Sequence, residues 1–304
     1  MSDVPPRVIA IVGPTASGKT ALAIRAAVRW DGEIVSADSR QVYRGLDVGT
    51  AKATAAERLQ VPHHLIDVAD PVDRYDLARY QRAARAALAG LAARGRLALV
   101  VGGTGLYIRA LLDGLALDNL PRDAAVRSAL EADALRDGGA ALHERLRAID
   151  APAAAAVDAR NVRRTIRYLE VATIAGSWSA LQARGPAVVA TWLGLAPPRP
   201  WLDDVIDRRV RQMVDDGVLD EARSLLRAGV DPTLPSFSAH GYVHWAAHLR
   251  GVLTLDEAIA STARDVRAYS RRQMTWFRRD ARITWVDPTT TDALGALVAL
   301  AVAA

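Results

Sequence analysis

The chain has 304 residues, 51% of them hydrophobic, with 39 Lys plus Arg against 34 Asp plus Glu and a formal net charge of +5. It has no cysteine, which excludes disulfides and thiolate metal sites. No apolar run is long enough to span a bilayer and no charged-then-apolar leader opens the sequence, so a cytoplasmic protein with no membrane contact is expected.

The first predicted element is a buried strand, Val8-Ile9-Ala10-Ile11-Val12. It runs into Gly13-Pro14-Thr15-Ala16-Ser17-Gly18-Lys19-Thr20 and then into a helix-prone segment from Ala21 to Trp30. Strand, glycine-rich loop and helix with the spacing G-x-x-x-x-G-K-T describe a phosphate-binding loop. Gly13 and Gly18 accept backbone angles that let successive N–H groups turn inward around an anion, and the helix adds the positive end of its dipole. Lys19 supplies a compact charge and the Thr20 hydroxyl can hold a magnesium ion. The basic residues are almost all arginine; the only lysines are Lys19 and Lys52. Keeping Lys19 in such a chain argues that a point ammonium is needed there, because a planar guanidinium is no substitute. Lys52 poses the same question, with a surface lysine as the plain alternative.

Glu33 to Ala37 reads as a second buried strand that ends at Asp38-Ser39-Arg40-Gln41. Ligands of open parallel sheets sit beyond the carboxyl ends of strands, so Asp38 is expected to share an edge with the phosphate loop. Val42 to Lys52 is too rich in glycine and polar residues for a helix. His63-His64-Leu65-Ile66 is a short strand candidate, and its histidine pair has no third ligand at a supporting spacing. A helix from about Asp76 to Ala93 precedes a central strand, Leu97 to Val101, which enters Gly102-Gly103-Thr104-Gly105 and a helix from Leu106 to Leu112. A nucleotide hydrolase would carry a magnesium-binding Asp at the end of such a strand. Here Gly102 stands there and the acid is Asp38, which favours a transfer reaction with an acid beside the acceptor.

From about 118 to 185 strand signals vanish, and helices are expected at about Pro121 to Leu135, Ala140 to Ile149 and Asn161 to Ala175. The last carries Arg160, Arg163, Arg164 and Arg167 at helical spacing, either a solvated basic face or a rail for a phosphate backbone. Val188 to Leu195 returns to strand character. Helices from Leu202 to Asp216 and from about Leu255 to Arg279 follow, the second with Trp276-Phe277 among six arginines, then a last strand, Ile283 to Val286, and an alanine-rich tail. The pattern predicts an α/β fold: a phosphate-loop core of nucleoside-triphosphate-hydrolase type with a parallel sheet flanked by helices, formed by 1–117 and 186–304, and an all-helical insertion, 118–185.

Six segments in order resemble the tRNA dimethylallyltransferases: Gly13 to Thr20, Asp38-Ser39-Arg40-Gln41-Val42-Tyr43-Arg44-Gly45, Gly49-Thr50-Ala51-Lys52, His63-His64-Leu65-Ile66-Asp67, Gly102-Gly103-Thr104-Gly105-Leu106-Tyr107 and Arg272-Gln273-Met274-Thr275-Trp276-Phe277-Arg278. The chain departs from that family's pattern at Val157-Asp158-Ala159-Arg160-Asn161, at Val205, and at His240-Gly241-Tyr242-Val243-His244. The resemblance implies transfer of a dimethylallyl group from dimethylallyl diphosphate to N6 of adenosine 37, in the anticodon stem-loop of tRNA. It implies catalytic roles for Asp38, as general base, for Thr104, holding Asp38 or the adenine edge, and for Arg209. The diphosphate would lie on Gly13, Pro14, Thr15, Ala16, Ser17, Gly18, Lys19 and Thr20, with Mg2+ on Thr20. The tRNA would meet Asp38, Ser39, Arg40, Gln41, Thr104, Arg127, Arg163, Arg164, Thr165, Ile166, Arg167 and Tyr242, and the protein would act as a monomer. Read from the residues alone, three other functions stay open: a small-molecule kinase, a prenyltransferase acting on free adenine nucleotides, and an RNA-binding module with a vestigial loop.

Overall fold

The computed structural model describes residues 8–115, 117, 120–181, 187–237 and 241–303. His240 lies outside the described residues. The chain divides into two compact units, Met1–Leu112 with Val188–Ala304, and Asp113–Ala187.

The first unit is built on β1 (Val8–Val12), β2 (Gly32–Ser36), β3 (His63–His64), β4 (Leu97–Gly102), β5 (Ala190–Leu195) and β6 (Thr284–Val286). They form one six-stranded sheet in the order β3-β2-β4-β1-β5-β6, with every pairing parallel. All five residues of β1 are buried. Val8, Ala10 and Val12 pack into one core and Ile9 and Ile11 into the other, the two-residue period of a strand covered on both faces. The first-unit helices are α1 (Lys19–Trp30), α2 (Ala55–Gln60), α3 (Leu77–Ala93), α4 (Gly105–Leu112), α9 (Arg199–Asp215), α10 (Val218–Arg227), α11 (Tyr242–Leu249), α12 (Leu255–Phe277) and α13 (Ala293–Ala303). The alanine-rich tail is therefore α13, whose Leu297 is fully buried in the core shared with α1. Each of α2 and α12 opens on a reciprocal capping box, Thr54 with Glu57 and Thr254 with Glu257.

The second unit holds α5 (Ala124–Asp137), α6 (Gly139–Ile149), α7 (Ala151–Ala155) and α8 (Val162–Ala175) around its own core of Leu130, Leu142, Leu146 and Leu169. Helix α7, Ala-Pro-Ala-Ala-Ala, is not expected from hydrophobic spacing. It forms because the Asp150 carboxylate caps the Ala153 amide at 3.0 Å and Pro152 sits in the first turn, where its missing N–H costs nothing.

Candidate active site

Parallel strands bring their carboxyl ends to one edge of the sheet. There β1 delivers the loop Gly13–Thr20, β2 delivers Asp38, and β4, lying between them, delivers Gly102-Gly103-Thr104. The turn at Gly13 has φ +143°, and a Cβ there would stand 2.6 Å from the Leu195 carbonyl oxygen, so only glycine fits. A Cβ on Gly102 would strike the Ala37 carbonyl, which lets the β4 turn approach the Asp38 segment closely. Across that contact the Thr104 amide donates to Ala37 O at 3.1 Å and the Thr104 hydroxyl accepts from the Ser39 amide at 3.0 Å. The hydroxyl thus fixes the backbone beside Asp38; among the described residues it makes no bond to the carboxylate itself.

Asp38 is half-buried. Its Oδ1 accepts from the Arg40 amide at 2.8 Å, and its Oδ2 takes no hydrogen bond among the described residues. The carboxylate is oriented by its own loop and keeps one oxygen for a proton. Two cations sense it. Burial pushes the Lys19 ammonium down to about 7, with Asp38 raising it and Arg209 lowering it, and the ammonium donates to Pro14 O at 2.5 Å. Burial likewise lowers the Arg209 guanidinium, with Asp38 opposing. Arg209 on α9 borders a narrow cleft of about 20 Å³ shared with Thr15 and Ala16 of the loop and walled by Ile206, Val210, Met213 and Val266.

The loop is prepared for an anion. Ala16 has φ +65°, and among the described residues the amides of Ala16, Ser17 and Gly18 have no acceptor. The buried Ser17 hydroxyl is also without a partner, and the amides of Lys19 and Thr20 open the free first turn of α1. For a magnesium ion the donor set is suitable but sparse. The Thr20 hydroxyl has no partner among the described residues, and no group of three or more His, Cys, Asp or Glu gathers anywhere among them. That matches an ion held by one protein oxygen, phosphate oxygens and water.

Two residues that sequence reasoning missed complete the edge, both on α12. Gln273, 5% exposed, accepts from the Thr15 amide at 2.8 Å and donates to Gly103 O at 3.0 Å, tying the β1 loop to the β4 turn. Burial pushes the Tyr269 phenol up and the Asp38 charge adds to it, while hydrogen bonds with Thr104 and Gln273 oppose. The two lie one helical turn apart, a face hidden in the sequence by six surrounding arginines. Of the aromatic pair on this helix, Phe277 is buried in the core and Trp276, 39% exposed, covers Gly105.

The expected tRNA contacts divide. Ser39 stays half-buried beside Thr104. Arg40 donates to Pro235 O at 2.7 Å, and Gln41 bridges Ser36 to the carbonyls of Thr50 and Ala51, so both order the loop around Asp38. Tyr242 corrects the expectation. It is fully buried, its ring fills the space a Gly49 Cβ would need, and its hydroxyl donates to Glu221 at 2.7 Å. Glu221 also accepts from the amides of Asp47, Val48 and Gly49, so Tyr242 supports a loop from beneath.

In the second unit Thr165 is fully buried and Ile166, 7% exposed, belongs to that unit's core. The amphipathic period that exposes Arg163 and Arg164 turns these two inward. Arg127 and Arg167 both bind the buried Glu170, at 2.5 and 2.8 Å, and Arg167 also donates to Pro121 O. Arg164 lies against Tyr168, its Nε 2.8 Å from the phenol oxygen, whereas the exposed Arg163 has no ion pair among the described residues.

Lys52 is neither a surface lysine nor a ligand of the cleft. It is buried, and its three ammonium hydrogens go to Tyr43 O, Asp47 and Asp67, each at 2.6 Å. His63 bonds Val61 O and His64 bonds Glu33, both at 2.7 Å, so the pair braces the β3 edge. Val205 is half-buried on α9.

Residues 41–280 match the family model described as IPP transferase, and residues 6–67 match one described as Isopentenyl transferase. A tRNA dimethylallyltransferase of Anaeromyxobacter sp. (strain K) is 50% identical over 286 residues, 93% of each chain. One from Thermomicrobium roseum is 47% identical over 284 residues, 93% of this chain and 86% of its own. The solved full-length tRNA isopentenylpyrophosphate transferase of Bacillus halodurans superposes with a TM-score of 0.72 at 40% identity, covering 98% of this chain and 97% of that one. A eukaryotic dimethylallyltransferase solved acting on tRNA shares the fold, with a TM-score of 0.83 at 23% identity over 98% of this chain and 78% of its own. On the span of the first match and the identity of these relatives, the chain belongs to the IPP transferase family.

Proposed function

We propose that this protein transfers the dimethylallyl group of dimethylallyl diphosphate to the N6 amine of adenosine 37 in tRNA, releasing diphosphate. The single observation that carries this reading is the placement of Asp38, with one carboxylate oxygen free among the described residues, at the same sheet edge as the anion loop, where its charge acts on both Lys19 and Arg209. We read the first unit as a phosphate-loop core of the nucleotide-hydrolase type and the second as a helical insertion in it.

The N6 lone pair is delocalised into the purine and attacks poorly. Asp38 Oδ2 accepts the N6 proton as the N6–C1 bond forms, an effect worth roughly 10²–10⁴ in rate. The C1–O bond breaks with its electron pair leaving on the diphosphate. The growing charge is taken by the amides of Ala16 to Thr20, by the Lys19 ammonium and by Arg209. A magnesium ion on the Thr20 hydroxyl would supply further charge neutralisation at the leaving phosphates. Ile206, Val210, Met213 and Val266 give the five-carbon chain an apolar wall from which water is displaced. Thr104 holds the Ser39 peptide so that the carboxylate keeps its aim. The adenosine must leave the loop stack to reach this edge.

The test is incubation with magnesium, dimethylallyl diphosphate and unmodified tRNA, with nucleosides read by mass spectrometry. A gain of one dimethylallyl group on adenosine 37, lost when that base is guanosine, is the expected result. Alkylation of free AMP or ATP in place of tRNA, or phosphate transfer from ATP, would overturn it.

A further inference from the structure

Resting on that reading of the loop, we propose that Gln273 sets the length of the anion this loop accepts, excluding triphosphates in favour of diphosphates.

The argument starts from the row of amides. Those of Ala16, Ser17 and Gly18 have no acceptor among the described residues, and those of Lys19 and Thr20 open α1. The amide before them, on Thr15, is already taken by Gln273 Oε1 at 2.8 Å. The row of free donors therefore begins one residue late. Thr15 stands at the end of the row farthest from the helix, where an anion lengthened beyond two phosphates would extend. There it would meet a buried carbonyl oxygen where a longer cradle would offer an N–H, losing a donor and gaining a repulsive dipole.

Gln273 is well placed to keep that position. It is 5% exposed, and its amide nitrogen is held by Gly103 O at 3.0 Å, which orients Oε1 toward Thr15. A Cβ on Gly103 would collide with that nitrogen, so the β4 turn is shaped around the glutamine. A residue that only fastened α12 to the sheet would serve equally with its acceptor elsewhere. Gln273 instead occupies the loop amide that directly precedes the free row. The feature accounts for a loop of nucleotide-binding spacing serving a prenyl diphosphate in a cell rich in nucleoside triphosphates.

The experiment compares inorganic diphosphate with inorganic tripolyphosphate, both with magnesium, by titration calorimetry on the full chain. In the unaltered protein diphosphate should bind at least tenfold more tightly. In Gln273→Ala, with Thr15 freed, the preference should fall at least tenfold through a gain in tripolyphosphate affinity. In Gln273→Glu, which keeps an acceptor on Thr15, the preference should persist or widen. An unchanged ratio in Gln273→Ala, with diphosphate still bound and the thermal midpoint near that of the parent, overturns the inference while leaving the loop's role intact. Absence of diphosphate binding in the parent protein overturns the reading of the loop itself.

Discussion

Charged groups in the two units are used in opposite ways. At the edge of the sheet, among the described residues, Asp38 keeps an oxygen free, the amides of Ala16, Ser17 and Gly18 have no acceptor, and the Lys19 ammonium donates only to a backbone carbonyl. In the helical unit Glu170, 1% exposed, satisfies Arg127, Arg167 and the Asp123 amide at once, and Asp133 pairs with Arg136 and Arg145. Binding needs donors and acceptors left open, and a small core needs them closed. A count of arginines on a helix does not distinguish the two. The partner of each does.

The sharpest way to break this contrast is Asp38→Ala. Transfer measured in single turnover should fall roughly 10²–10⁴-fold, with tRNA affinity little changed. Undiminished transfer would mean that the open oxygen has no use.

The mirror experiment is Glu170→Ala. It leaves two arginines facing a vacated site and should destabilise the second unit by about 2 kcal/mol, less than a fully dry pair because Arg127 and Arg167 are partly exposed. Hydrogen exchange of α5 and α8, compared with β1, reads it. Equal protection in both proteins would show that the arginines were not closed after all.

Acidity separates the regions next. The Lys19 ammonium in the free protein titrates at about 7, lowered chiefly by burial. Below that pH folded and unfolded chains both carry the charge. Between 7 and the ordinary lysine value the unfolded chain holds the extra proton, so the Lys19 contribution to stability rises with pH. Anion binding needs the ammonium and runs the other way. Diphosphate affinity should decline by up to tenfold per pH unit above 7, with proton uptake on binding in calorimetry. Lys19→Arg should abolish the uptake, and its persistence would assign the titration to another group.

The smallest effect is expected at Arg163, the arginine of the α8 stripe with neither an ion pair nor a side-chain hydrogen bond among the described residues. Arg163→Ala should weaken tRNA binding several-fold and reduce the slope of log affinity against log salt by about 1. An unchanged slope would place Arg163 off the RNA.

What could be read in the sequence was whatever depends on neighbours along the chain. The phosphate loop, the period-two core of β1 and the arrival of Asp38 at the strand end are local patterns, and parallel pairing then brings them together. What stayed hidden depends on distant partners. Tyr242 looks like an exposed aromatic until Glu221 and Gly49 are placed beside it. Lys52 gives no sign of its knot because Asp67 lies beyond a helix. Gln273 is separated from Thr15 by nearly the whole chain, and a lone polar residue among arginines carries no period to expose it. Thr165 and Ile166 entered the expected tRNA contacts through the family resemblance, and a resemblance carries no information on burial, which the packing of α8 decides.

The Lys52 knot has a practical consequence. With its side chain 1% exposed and every hydrogen engaged, Lys52 offers nothing to an acylating reagent. The sequence contains only one other ε-amine, and that one is largely uncharged in mildly alkaline buffer. Covalent tagging of internal lysine therefore reports on a single position, and the rate at which a bound prenyl diphosphate shields it gives an occupancy assay that needs neither radiolabel nor RNA.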